Sequence, residues 1–153
     1  LTFKSGKVED ALKLFEEAAK SEAADPVRAE ASLHAAISAT KLGKADVAEK
    51  HLRYVLENPG MEAYRPDAQI ALMENYFTAK KYKEVVELYT KSEIKAQGEK
   101  EATRLMVVAR AMLQLKKASD ASKLFRDIER MVPPESDLAF LASYYRLNCS
   151  FQI

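Results

Sequence analysis

The sequence predicts an all-α protein built from antiparallel helix pairs, and three observations support this prediction. Residues that favour helices, namely Ala, Leu, Glu and Lys, dominate every segment. Glycine and proline are rare, with 4 and 5 of 153 residues. A seven-residue motif recurs four times at nearly constant spacing, and such a period indicates an array of helical repeats.

We call this repeated segment the turn motif, because each copy is expected to join two helices. Its third residue is lysine in every copy, and its last residue is small or β-branched, which allows two helix backbones to approach. A large apolar residue follows four positions later, and we expect it to be buried between this helix and the next repeat. The four copies are residues 5–11, 42–48, 79–85 and 115–121, and the apolar residues are Phe15, Leu52, Tyr89 and Phe125.

Start and stop signals divide the chain into helices. Pro26 and Pro66 suit the first turn of a helix, and Asp25 is expected to cap the helix that follows it. Gly43 can take the left-handed conformation that ends a helix. The predicted helices cover residues 8–21, 26–42, 45–58, 66–79, 82–92, 99–115, 118–132 and 135–150.

The period predicts one repeat domain over residues 1–153. Its parts are a partial repeat at 1–25, three repeats at about 26–62, 63–98 and 99–134, and a final helix at 135–150. Because the chain begins at Leu1 and opens just before a turn motif, we expect it to be a fragment of a longer protein.

Charge and hydropathy exclude several partners. The 24 Lys and Arg residues nearly balance 23 Asp and Glu residues, so the basic field that drives nucleic-acid binding is absent. No run of about eighteen apolar residues exists, so no transmembrane segment is expected. The sequence predicts a soluble protein and leaves cytoplasm and periplasm equally open, since the single cysteine, Cys149, does not identify the redox compartment.

Motifs of catalysis are also missing from the sequence. It contains no phosphate-binding glycine loop, no nucleophile elbow and no cluster of metal ligands. His34 and His51 fall in successive helices, and we expect each to pack or to face solvent. We therefore predict no enzymatic activity, no cofactor and no metal, and an enzyme or a nucleic-acid binder is the least favoured alternative.

The helix pairs resemble the tetratricopeptide repeat family, whose period is about 34 residues. In the repeat at 99–134, Ala109 and Ala121 match the family's small positions, Phe125 an aromatic position and Pro133 its proline. The resemblance covers nearly the whole chain, but the family's tryptophan is missing and two repeats are longer by about three residues, so the repeats are degenerate. It implies a right-handed α-solenoid of antiparallel helix pairs.

The resemblance also implies a protein-protein interaction scaffold that binds a partner helix or peptide in a concave groove. The first helices of the repeats would line this groove with mainly apolar side chains, and Glu74 and Arg110 would lie between two apolar rows. The expected binding residues are Leu33, Ile37, Ile70, Glu74, Phe77, Met106, Arg110 and Leu113. The lysine and asparagine of a carboxylate clamp are absent from these positions.

Two further hypotheses stay open. In the first, the chain is a structural solenoid segment of a larger protein, for which the spacing suggests a bacterial envelope protein, and its own chain fills the groove. The second concerns the final helix, which has no following partner and ends in apolar residues. We expect Tyr144, Leu147 and Phe151 to form an open edge that packs against missing residues or another subunit, which would give a homo-oligomer.

Overall fold

The computed structural model describes residues 2–22 and 24–152, with side chains from 6 to 22 and from 24 to 151. This part of the chain contains α-helices, one short 3-10 helix at Glu62–Tyr64 and no strand, so the prediction of an all-α protein is confirmed. The α-helices are α1 Thr2–Lys20, α2 Asp25–Lys41, α3 Ala45–Glu57, α4 Arg65–Thr78, α5 Tyr82–Lys91, α6 Glu99–Gln114, α7 Ala118–Met131 and α8 Asp137–Gln152.

Three copies of the turn motif share one backbone geometry. The lysine at the third position is the N-cap of the following helix in each copy, with φ between −90° and −100°. Its carbonyl oxygen accepts a hydrogen bond from the N–H of the last residue of the motif. These lysine–acceptor pairs are Lys44 with Ala48 at 3.1 Å, Lys81 with Val85 at 3.3 Å, and Lys117 with Ala121 at 3.0 Å.

The second residue of these three copies takes the left-handed conformation that closes the preceding helix. It is Gly43 in one copy, with φ of 74°, and Lys80 and Lys116 in the others, both with φ of 63°. A residue with a side chain pays about 1 kcal/mol or more for this conformation. The hydrogen bonds of a Schellman motif accompany two of these turns, from Lys44 N to Ala39 O at 2.8 Å and from Lys117 N to Met112 O at 2.9 Å.

The first copy of the turn motif departs from the expectation. Helix α1 runs from Thr2 to Lys20 and passes through Gly6, so the turn predicted at residues 5–7 is wrong. A glycine inside a helix costs only about 1 kcal/mol relative to alanine, and no proline interrupts the segment. Asp25 also differs from its expected role, because Ala24 is the N-cap of α2 and Asp25 pairs with Arg28 within the first turn.

The chain divides into two compact units, Leu1–Ala79 and Lys80–Ile153. In the first unit α2 packs against α1 and α3, and α4 packs against α3 and also contacts α2. Alanines of α2 form much of the buried face, since Ala29, Ala35 and Ala39 are inaccessible to solvent. Their small side chains let the neighbouring helices approach closely.

The second unit repeats the same order of packing. Helix α6 packs against α5 and α7, and α8 packs against α7 and also contacts α6. Its core includes Val108, Phe125 and Ile128, all inaccessible to solvent.

The expectation for the four large apolar residues is met in part. Leu52 and Phe125 are fully buried, whereas Phe15 and Tyr89 are partly exposed. The ring of Phe15 stacks on that of His34 with centroids 5.1 Å apart. The guanidinium of Arg104 lies over the ring of Tyr89, 5.1 Å from its centroid. Each of these two partly exposed rings therefore contacts a polar side chain.

Candidate functional site

Helices α2 and α4 form the walls of a groove with a volume of about 460 Å³ within the first unit. Each helix contributes residues at spacings of three, four and seven, so one face of each helix lines the groove. From α2 these are Glu30, Leu33, His34 and Ile37, and from α4 they are Asp67, Ile70, Ala71 and Glu74. Tyr64 of the 3-10 helix completes the lining. We call this cavity the α2/α4 groove.

The groove brings together four of the residues that the sequence suggested for binding. They are Leu33, Ile37, Ile70 and Glu74. Phe77, also on α4, is half-buried and is not among the groove-lining residues. The grouping follows from the packing, because α2 uses its alanines for contact with neighbouring helices and leaves its larger side chains on another face.

The remaining three suggested residues belong to α6 in the second unit. Met106 is buried, with 6% of its surface exposed, and Arg110 and Leu113 are half-buried. The guanidinium of Arg110 lies 5.7 Å from the centre of the Tyr145 ring, at a distance typical of a cation–π contact. In this unit Arg110 therefore has a structural contact with α8.

The α2/α4 groove combines apolar walls with acidic groups. Leu33 and Ile70 are half-buried and Ile37 is 44% exposed. The ionisable lining residues other than His34 and Tyr64 are Glu30, Asp67 and Glu74, and among the described residues no lysine or arginine lines the groove. Such a surface favours a ligand that is both apolar and basic.

Burial in the groove affects the charged form of the Glu74 carboxyl. The residue as a whole is exposed, but its neighbours in the groove reduce the solvation of its charged form. This desolvation raises the pKa of the Glu74 carboxyl above its ordinary value. A cation placed next to Glu74 would offset that cost and lower the pKa again.

Five residues that line the groove were not among the binding residues suggested by the sequence, namely Glu30, His34, Tyr64, Asp67 and Ala71. His34 and Ala71 each adjoin a suggested residue, and the helical spacing could have identified them. Tyr64 could not be found in this way, because the helical period does not extend into the 3-10 helix that carries it.

His51 and Cys149 have structural surroundings. His51 Nε2 lies 3.2 Å from Oε2 of Glu16, which links α3 to α1. Cys149 is fully buried, and desolvation raises the pKa of its thiol. Within the described residues, no group of three or more His, Cys, Asp or Glu side chains is arranged to hold a metal ion.

One face of α8 carries exposed apolar side chains. Phe140, Tyr144, Leu147 and Phe151 are between 54% and 89% exposed. Their spacing of four, three and four residues places them in one stripe along the helix. The open edge expected at Tyr144, Leu147 and Phe151 is thus present as an exposed surface.

Two general comparisons complete the description. Among the helices of residues 2–22 and 24–152, none has the length and hydropathy needed to cross a membrane. Comparison of the chain with protein-family models, curated proteins and solved structures gave no match.

Proposed function

We propose that this protein is an interaction module that holds a helix or an extended peptide of a partner protein in the α2/α4 groove. The observation that supports this most is that Leu33, Ile37 and Ile70, from two helices, line one open groove. Accessible apolar side chains in a concave surface are typical of sites that bind an amphipathic helix or a peptide.

The charge of the groove favours one class of partner. Three carboxyl groups surround the apolar walls, and the described residues place no lysine or arginine in the lining. A partner segment with apolar side chains flanked by lysine or arginine complements both features. Its apolar residues would cover Ile37 and Ile70, and its cations would lie near Glu30, Asp67 and Glu74.

The proposed architecture is a tetratricopeptide-like, right-handed solenoid. The packing of α4 on both α3 and α2, and of α8 on both α7 and α6, supports it, because these two helices then each contact both helices of the previous pair. The shared geometry of the turns before α3, α5 and α7 supports it as well.

A peptide-library selection on the immobilised protein tests this function. The enriched peptides are synthesised with a fluorophore, and their dissociation constants are measured by fluorescence anisotropy. We expect the selected sequences to combine apolar residues with Lys or Arg. Raising the salt concentration should weaken their binding, because the cations and carboxylates are solvent-accessible.

Variants of the protein locate the binding surface. Ile37→Glu with Ile70→Glu puts two charges where the partner's apolar side chains would be buried, and the cost of desolvating these charges should abolish peptide binding. The matched control is Leu14→Glu with Val27→Glu, since both residues are apolar, exposed and outside the groove. Circular dichroism establishes that both double variants are folded. Equal peptide affinity of the two folded variants would contradict the proposed site.

A further inference from the structure

A second cavity, of about 420 Å³, lies between α1, α2 and α3. We call it the three-helix pocket. Helix α2 contributes Arg28 and Ser32 to this pocket, and Glu30 and His34 to the α2/α4 groove. Residues two positions apart on a helix point in directions that differ by about 200°. The pocket and the groove are therefore separate sites on opposite faces of α2.

The three-helix pocket is electropositive. Lys20, Arg28 and Lys50 line it, and Glu16 is the only acidic residue that lines it in the part of the chain that the structure describes. Glu16 is already 3.2 Å from His51, so its charge is directed at that ring. Within the described part of the chain, neither Lys20 nor Lys50 forms an ion pair. Arg28 is already paired with Asp25, so Lys20 and Lys50 supply the positive charge that attracts anions.

Two buried polar atoms of the pocket residues have no hydrogen-bond partner in the described part of the chain. They are Oγ of Ser32 and Nε of Arg28. The Ser32 side chain is completely buried, with 0% of its surface exposed. A buried hydroxyl without a partner costs about 1–3 kcal/mol. Both groups can donate a hydrogen bond, so an acceptor oxygen that came within reach of them would satisfy them.

The rest of the wall is apolar or aromatic. Ala19 of α1 and Val47 of α3 present methyl groups, and Tyr54 presents a half-buried ring. A volume of this size is within the range of sites for small organic molecules.

We propose that the three-helix pocket binds a small organic anion, with its acidic group at Arg28, Ser32 and Lys50. The apolar part of the ligand lies against Ala19, Val47 and Tyr54. A sulfonate, carboxylate or phosphate group supplies the required acceptor oxygens, and an aromatic or aliphatic body fills the remaining space. This site is independent of peptide binding in the groove.

Two fluorescent probes that differ in charge test the proposal. Anilinonaphthalene sulfonate carries an anionic group on an aromatic body, and N-phenylnaphthylamine has the same body without the charge. Titration of the intact chain with each probe gives two dissociation constants. We expect the sulfonate to bind roughly tenfold more tightly than the neutral probe, because charged acceptors make the stronger hydrogen bonds.

Charge reversal assigns this preference to the pocket. Lys20→Glu with Lys50→Glu should remove the preference for the sulfonate and leave the affinity of the neutral probe within about twofold. The matched control, Lys13→Glu with Lys41→Glu, changes two exposed lysines on α1 and α2 and should retain the preference. Ser32→Ala should weaken binding of the sulfonate more than binding of the neutral probe. This variant tests the buried hydroxyl without changing the charge of the pocket.

Three results would overturn the proposal. The first is that the unmodified protein shows no preference for the sulfonate. The second is that the preference is unchanged after charge reversal of Lys20 and Lys50. The third is that this variant, shown to be folded by circular dichroism, loses affinity for both probes equally. The variant with Ile37→Glu and Ile70→Glu should bind the sulfonate normally, so failure of this site is distinguishable from failure of the peptide site.

Discussion

The ring of Phe125 in α7 stacks on the ring of Tyr145 in α8, with centroids 5.4 Å apart and planes inclined by 18°. Phe125 is inaccessible to solvent. The repeat period placed this residue between the second helix of one repeat and the next repeat, and the structure confirms that position within the second unit. The contact thus joins helices that belong to successive repeats of the sequence.

We expect Phe125→Ala to lower the free energy of unfolding by about 3–5 kcal/mol, because it removes a buried ring and leaves a cavity. Phe140→Ala is the matched control, since Phe140 is 72% exposed and its removal should change stability by less than about 0.5 kcal/mol. Urea denaturation followed by circular dichroism measures both values. Similar losses for the two variants would contradict the packing of α7 on α8.

The lysine with left-handed backbone conformation at the end of α6 should lower the stability of the protein relative to a glycine at the same position. Lys116 has φ of 63°, so Lys116→Gly removes the steric cost of a side chain and should raise stability by roughly 0.5–1 kcal/mol. Gly43→Ala should lower stability by a similar amount. A methyl group at Gly43 meets no atom within 4 Å, so the loss would come from the backbone alone. Thermal unfolding of both variants tests the turn geometry. A change of melting temperature with the same sign in both variants would be inconsistent with it.

Glu129 on α7 gives a pH-dependent contribution to stability. A hydrogen bond of 2.7 Å from Arg146 Nε, supported by Ser143, lowers the pKa of this carboxyl below its ordinary value of 4.5. A lowered pKa in the folded state stabilises the protein above pH 4.5, and this contribution is lost as the pH falls through the folded-state pKa. Glu129→Gln should therefore cost roughly 1 kcal/mol near neutral pH and almost nothing near pH 2.

The control for this experiment is Glu57→Gln, which changes an exposed carboxyl on α3. Its effect on the free energy of unfolding should be small at both pH values. If Glu129→Gln lowers the free energy of unfolding by the same amount in acid as at neutral pH, the cause would be packing rather than the ion pair with Arg146.

The resemblance to the tetratricopeptide repeat supplied the expectation for part of the groove. It placed Leu33, Ile37 and Ile70 on one surface because they occupy the positions that line the concave face in that family. The period could not predict that α1 continues through Gly6, since a single glycine ends a helix in one copy of the turn motif and is tolerated in another. The choice depends on the contacts that the whole of α1 makes with α2.

The three-helix pocket was not predictable for a related reason. The pocket's cations lie on three different helices, with Lys20 on α1, Arg28 on α2 and Lys50 on α3. Each alone is an ordinary cation on a helix surface. Their proximity depends on how α1 and α3 are placed on α2, and no local pattern contains that information. The hydrogen bond from Asn75 Nδ2 to the carbonyl oxygen of Ala45, at 3.0 Å, is a further example. It joins α4 to the first residue of α3, and only the packed structure brings these two groups together.

Hydrogen-exchange mass spectrometry with a selected peptide tests the central claim, that the α2/α4 groove is the binding site, most directly. Ligand binding stabilises the amides of the elements that hold it. We expect slower exchange in residues 30–37 of α2 and 67–74 of α4, with unchanged exchange in α8. Slower exchange confined to α6, α7 and α8, with α2 and α4 unaffected, would contradict the claim.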